Sequence, residues 1–209
     1  MSKTTEEKVK AELLAVLQAG RVTLAADLPD TDPKKKTVAL VSYAMTNLVG
    51  QLRNTAAHPE VRNLMSLVWA LLEHHVVFVT LGSSTDSLCF TIFEADDKLN
   101  AMVLVPMNWP QLILQNQHLQ LGAMVMIGSQ CADFYHGKFK TKKDSEAVVT
   151  RARAYEAEYL LGVSKETLPL VPYQKNLLQE FPRGLDSLPI WAGSYVPGPF
   201  VANPVSSGT

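Results

Sequence analysis

Cys131, Asp133 and His136 place a thiol, a carboxylate and an imidazole within one short stretch of the chain. Those residue types could supply a nucleophile, an orienting acid and a base for covalent catalysis, with His74, His75 and His118 as further bases. The chemistry needs a thiolate, and the lysines that follow Cys131 could create the electropositive setting that lowers a thiol's pKa. The spacing matches no known nucleophile motif, however, and free cysteine is among the most commonly buried residue types, so a structural Cys131 is the expected outcome. The same thiol and imidazole, with Cys89 or His118, could be imagined around zinc. No paired short spacing of the structural zinc kind occurs, and neither a metal nor a cofactor is expected. Ser83, Ser84 and Asp86 beside the histidines have the composition of an ordinary polar turn. Gly82, Gly122, Gly128 and Gly137 stand alone, without the companions that phosphate-cradling loops require.

A second set of residues suits binding better than catalysis. Lys138, Lys140, Lys142, Lys143, Arg151 and Arg153 lie near Tyr135 and Phe139, opposed locally by Asp144 and Glu146. Alternating Lys138, Phe139 and Lys140 could track a phosphate backbone and stack a base, which makes nucleic acid a possible partner; a solvated loop has the same composition. Lys34, Lys35 and Lys36 stand where a helix is expected to begin, the unfavourable end for cations, but screening keeps that cost below about 1 kcal/mol.

The third set is apolar. From Ser187 to Thr209 no side chain is charged, yet Trp191, Tyr195 and Phe200 occur among Pro189, Pro197, Pro199 and Pro204. Chains that stay unfolded in water are charged and poor in aromatics, and proline prevents this one from burying its rings in a helix of its own. The segment is therefore expected to be an interaction arm. Docking its three rings could contribute on the order of 10 kcal/mol before ordering costs.

The elements that must carry these groups follow from periodicity. The 209 residues are 47% hydrophobic, which suits one domain with an appendage. Nineteen Lys and Arg against 20 Asp and Glu leave no global field for nucleic acid or an anionic membrane. The opening MSKTTEEKVK has no apolar core segment, and two cysteines are too few for a disulfide framework, so a cytoplasmic protein with reduced thiols is expected. The uncharged run Leu99 to Ala132 is interrupted by Asn108, Gln111, Gln115, Asn116, Gln117, His118 and Gln120, and so is not expected to span a membrane.

Thr4 and Glu7 form a capping box ahead of a first helix that ends near Gly20. Val38, Val41, Met45, Leu48, Val49 and Leu52 predict a helix over 36–53, and Pro59 opens another that is apolar on most sides. Strands are expected at Val76–Val79, Leu88–Phe93 and Ala101–Val105, most economically as an antiparallel meander. A short helix between Trp109 and Leu121, a fourth strand at Ala123–Ile127, a helix from Asp144 or Ser145 to Gly162, and a turn or two of helix around Gln174–Gln179 complete the reading.

The expected fold class is α+β: N-terminal helices packed on a small, mainly antiparallel sheet, one further helix, and an extended Pro-rich C-terminal arm. A single domain over 1–162 would carry the arm over 163–209. The expected function is a non-catalytic assembly or interaction protein, a homo-oligomer or part of a larger complex, working through Trp191, Tyr195 and Phe200. Nucleic-acid binding through 138–153 and a small enzyme using Cys131 are the alternatives.

Overall fold

The computed structural model describes residues 35–73, 78–82, 87–95, 98–106, 108–138, 144–163 and 170–189. The N-terminal helix expected before Gly20 and the stretch beyond Pro189 lie outside them.

Helix α1, Lys35–Thr55, buries Val41, Met45, Leu48, Val49 and Leu52, the stripe its spacing predicts. Helix α2, Pro59–Glu73, starts on a proline whose missing N–H costs nothing at a first helical position, and the His58 ring accepts the Glu60 N–H at 3.2 Å. Arg62 ties it back to the preceding turn by donating to the carbonyls of Ala56 and Ala57. Val61, Leu64, Met65, Leu67, Val68, Leu71 and Leu72 are all buried, so α2 is covered on most of its circumference.

Strands β1, Phe78–Gly82, β2, Cys89–Ala95, and β3, Lys98–Pro106, form one sheet in the order β1-β3-β2. β2 and β3 are antiparallel, Cys89 opposite Leu104 and Ala95 opposite Lys98, whereas β1 runs parallel to β3 with Phe78 opposite Met102. The expected meander is thus corrected. β3, with Met102, Val103 and Val105 buried, takes the centre and is paired along both edges, and β2 serves as the crossover between parallel neighbours.

Helix α3, Trp109–Gln115, is followed after Asn116 by α4, Gln117–Tyr135. The Asn116 side chain accepts the Leu119 N–H at 3.0 Å and caps the second helix. The strand expected at Ala123–Ile127 is therefore part of a helix. Its flanking glycines are not strand punctuation: a Cβ on Gly128 would come within 2.8 Å of the Met65 Cε, and one on Gly122 within 3.1 Å of the Glu156 Oε1. They let α4 lie close against its neighbours, and an apolar run without alternation is what a helix buried on several sides displays. Indeed α4 packs on α1, α2 and α3 and on the sheet, where Phe90 meets Phe134 edge to face.

Helix α5, Ser145–Leu161, matches the predicted span and lies along α4. Helix α6, Pro172–Glu180, and a single 3-10 turn at Gly184–Ser187 pack on α5 and add Leu177, Phe181 and Leu185 to the same core. The described part of the stretch expected as arm, 170–189, is thus fastened to the domain. The architecture is α+β: six helices among the described residues and one small sheet.

Candidate functional site

Cys131, Asp133 and His136 all sit at the C-terminal end of α4 or just past it. Residues two apart on a helix do not face one another, so the thiol and the carboxylate diverge. Cys131 is buried, and burial pushes its thiol up to about 12, which keeps it protonated at neutral pH. His136 is lowered from its ordinary value, first by burial and then by Lys138, with Asp133 acting the other way. The three do not assemble as nucleophile, acid and base. Among the described residues no group of three or more His, Cys, Asp or Glu side chains could hold a metal ion.

Asp133 has no exposed surface. Its Oδ1 accepts from the Lys138 Nζ at 3.0 Å and, more weakly, from the Arg151 Nη1 at 3.4 Å, and the two cations balance its charge. Arg153 makes a two-pronged contact with Glu180, at 2.9 and 2.5 Å, and lies over the Phe181 ring, clamping α6 to α5. The three described members of the basic segment are therefore engaged with carboxylates. Phe139, Lys140, Lys142 and Lys143 lie outside the described residues, as do Trp191, Tyr195 and Phe200.

Three groups that the residue types alone did not single out lie along α5. Glu156 is 1% exposed and accepts a hydrogen bond from the Tyr173 hydroxyl at 2.6 Å. Burial pushes this carboxyl up to about 7, against the smaller opposing effects of that hydroxyl and of Arg153. Tyr159 is also raised by burial, and its hydroxyl pairs with the His118 Nδ1 at 2.9 Å. Glu158 accepts the Leu185 N–H at 2.9 Å and lies 3.7 Å from the His58 Nε2. Gly184 has φ +54, a left-handed conformation natural to glycine, and a side chain there would collide with Glu158. The available signal for Glu156 was local: Ala152, Tyr159 and Leu160, at the i−4, i+3 and i+4 positions that share its face, are apolar or aromatic and buried.

His118 and Tyr159 form one wall of a cleft of about 210 Å³, open to solvent, whose other walls include Gln51, Leu52, Thr55, Ala57 and Gly162. Apolar surface and a few polar groups converge there; a second open recess, lined by His136, Lys138, Asp144, Ala147, Val148 and Arg151, lies at the far end of α4. Compared with protein-family models, with curated proteins and with solved structures, the chain matches none. Among the described residues no helix is long and apolar enough to cross a membrane.

Proposed function

We propose that the chain is a non-catalytic interaction protein that self-associates or joins a larger complex through the arm bearing Trp191, Tyr195 and Phe200. The observation that carries this reading is the anchor at Glu158. The 3-10 turn from which the arm continues is held by a backbone hydrogen bond to a half-buried carboxylate, and Leu188 still packs against the core. A charge-free, proline-broken, aromatic segment thus starts from a fixed point on a folded domain. Fastening one end of a binding segment reduces the freedom it loses on docking and raises its effective concentration near a partner.

The buried, protonated Cys131 gives the cysteine-enzyme alternative no support. The nucleic-acid alternative keeps Phe139, Lys140, Lys142 and Lys143 as its candidates, while Lys138, Arg151 and Arg153 already have acidic partners.

Light scattering on the eluted full chain and on a chain ending at Pro189 tests the reading. The cut follows Pro189 because Leu185 and Leu188 belong to the packed domain. The full chain is expected to exceed the monomer mass, or to carry a partner, and the shortened one to be a folded monomer. Monomers in both, with nothing co-purifying, would overturn the proposal.

A further inference from the structure

Helix α6 is fastened at its two ends by different kinds of contact. Its C-terminal half is held by the core: Leu177 and Phe181 are buried, and Arg153 pairs with Glu180 and lies over the Phe181 ring. Its first turn is held by polar groups. Tyr173 is 43% exposed, yet its hydroxyl reaches inward to donate to the Glu156 Oε2 at 2.6 Å. Gln174 beside it has no exposed surface; its Oε1 accepts the Val171 N–H at 3.2 Å, and its buried Nε2 has no hydrogen-bond partner.

Glu156 lies where α4, α5 and α6 meet. From α4 it is met at Gly122, where an added Cβ would stand 3.1 Å from the Glu156 Oε1, and Met126 lies beside the Tyr173 hydroxyl; neither residue carries a charge. Arg153 on its own helix is the cation that acts on it, and that guanidinium is already engaged with Glu180. From α6 comes Tyr173, whose hydroxyl is itself raised, by burial first and then by Glu156, and so keeps its proton. A carboxylate enclosed in this way is poorly stabilised once it ionises, because one hydroxyl stands in for the water shell it would have outside. Burial accordingly raises the acid to about 7 against the opposing pull of Tyr173 and Arg153. Tyr173, half exposed and bonded to the acid, is the side chain that spans from it to the surface.

We propose that the first turn of α6, with Tyr173 as its catch, is a latch that lifts off Glu156 as pH rises through neutrality, while Leu177 and Phe181 stay in the core as its hinge. Lifting hydrates two groups at once, the ionised carboxylate and the unpartnered Gln174 amide, and it gives up little apolar contact at Tyr173, which is already half in water. The sign follows from linkage. Closed, the acid titrates near 7, and open it returns to the ordinary 4.5, so its contribution to closure is fully present below pH 4.5 and is lost as pH rises through 7. The opened turn uncovers Gly122 and Glu156, a surface that the closed turn hides. The latch stands apart from the arm reading, and neither depends on the other.

Amide hydrogen exchange on the full chain tests the latch, with each rate divided by that of unstructured peptide at the same pH. The Lys175 N–H is bonded to the Val171 carbonyl, and those of Asn176 and Leu177 depend on the same turn. These three amides should lose protection roughly 25-fold between pH 5.5 and pH 8, the ratio that the values 7 and 4.5 require. They should exchange faster than the Phe181 and Leu185 amides at every pH, and urea below the unfolding range should leave them unchanged while it speeds Phe181. Glu156→Gln, which cannot ionise, should keep them equally protected at both pH values. A second reading needs no variant: trypsin cleavage after Lys175 in the unaltered chain, normalised to a free peptide, should speed by a similar factor over the same range. Amides at 175–177 that exchange in step with Phe181 at every pH would overturn the latch, since the acid would then be coupled only to unfolding of the whole domain. A pH response that persists in Glu156→Gln, or cleavage after Lys175 that is flat with pH, would overturn it equally.

Discussion

Two carboxylates lie fully inside this molecule on adjacent helices, and they are balanced in opposite ways. Asp133 on α4 is met by Lys138 and Arg151, so its charge is neutralised by charge. Glu156 on α5 is met by the Tyr173 hydroxyl, and burial raises it to about 7, so its charge is reduced by holding a proton rather than by a cation. The second arrangement changes state near neutrality. Two acids equally hidden from water are thus accommodated in different ways, one by cations and one by a proton, depending on which side chains surround them.

The largest effect should come from removing the cations around Asp133. Lys138→Met with Arg151→Met leaves a charge with no surface exposure deprived of both, and breaking a buried ion pair in this one-sided way costs about 3 to 5 kcal/mol. Urea unfolding at pH 7 should show that loss, and adding Asp133→Asn should recover most of it. A loss below about 1 kcal/mol in the double variant would mean that Asp133 is balanced by other groups.

Glu156 should give the next largest effect, and its sign is determined. Its folded value is raised above the ordinary 4.5 to about 7, so the stability linked to its proton is fully present below pH 4.5 and is lost as pH rises through 7. The wild-type chain should therefore lose about 3 kcal/mol of stability from this group between pH 4.5 and pH 8. Glu156→Gln should flatten that part of the profile and be the more stable protein at pH 8. Parallel pH profiles for the two proteins would show that Glu156 does not take up a proton on folding.

Much of the framework was legible because it depends on local pattern. The α1 stripe from Val41 to Leu52, Pro59 at the start of α2, and the span of α5 each follow from spacing and from what a helix terminus tolerates. The errors came where long-range packing decides. Gly122 and Gly128 looked like strand boundaries because the side chains that need their missing Cβ atoms, Glu156 and Met65, are distant in sequence. The parallel pairing of β1 with β3 was hidden for a similar reason: each strand's own pattern says that it is buried, not which neighbour covers it. Of the candidate site, the basic residues could be named, but not the acids that occupy them, since Arg153 meets Glu180 and Arg151 meets Asp133 only after three helices have packed. Glu158 as an anchor was equally hidden, because its partner is a backbone N–H, which any residue could offer.

The comparison is sharpened last by Tyr173→Phe, which removes one oxygen and little volume. The hydroxyl donates to Glu156 at 2.6 Å, and such a bond is worth about 1 kcal/mol to a neutral acceptor but about 2 to a charged one. The variant should therefore lose more stability at pH 8, where Glu156 is largely ionised, than at pH 5, where it holds its proton. Because this hydrogen bond favours the ionised form, its loss should also move the Glu156 titration to higher pH, and Arg153, engaged with Glu180, is the remaining group pulling it down. Denaturant titrations at the two pH values, with the carboxyl followed by carbon NMR, would read both effects. Equal losses at pH 5 and pH 8 would mean that the hydroxyl does not distinguish the two forms of the acid, and the contrast with Asp133 would then rest on burial alone.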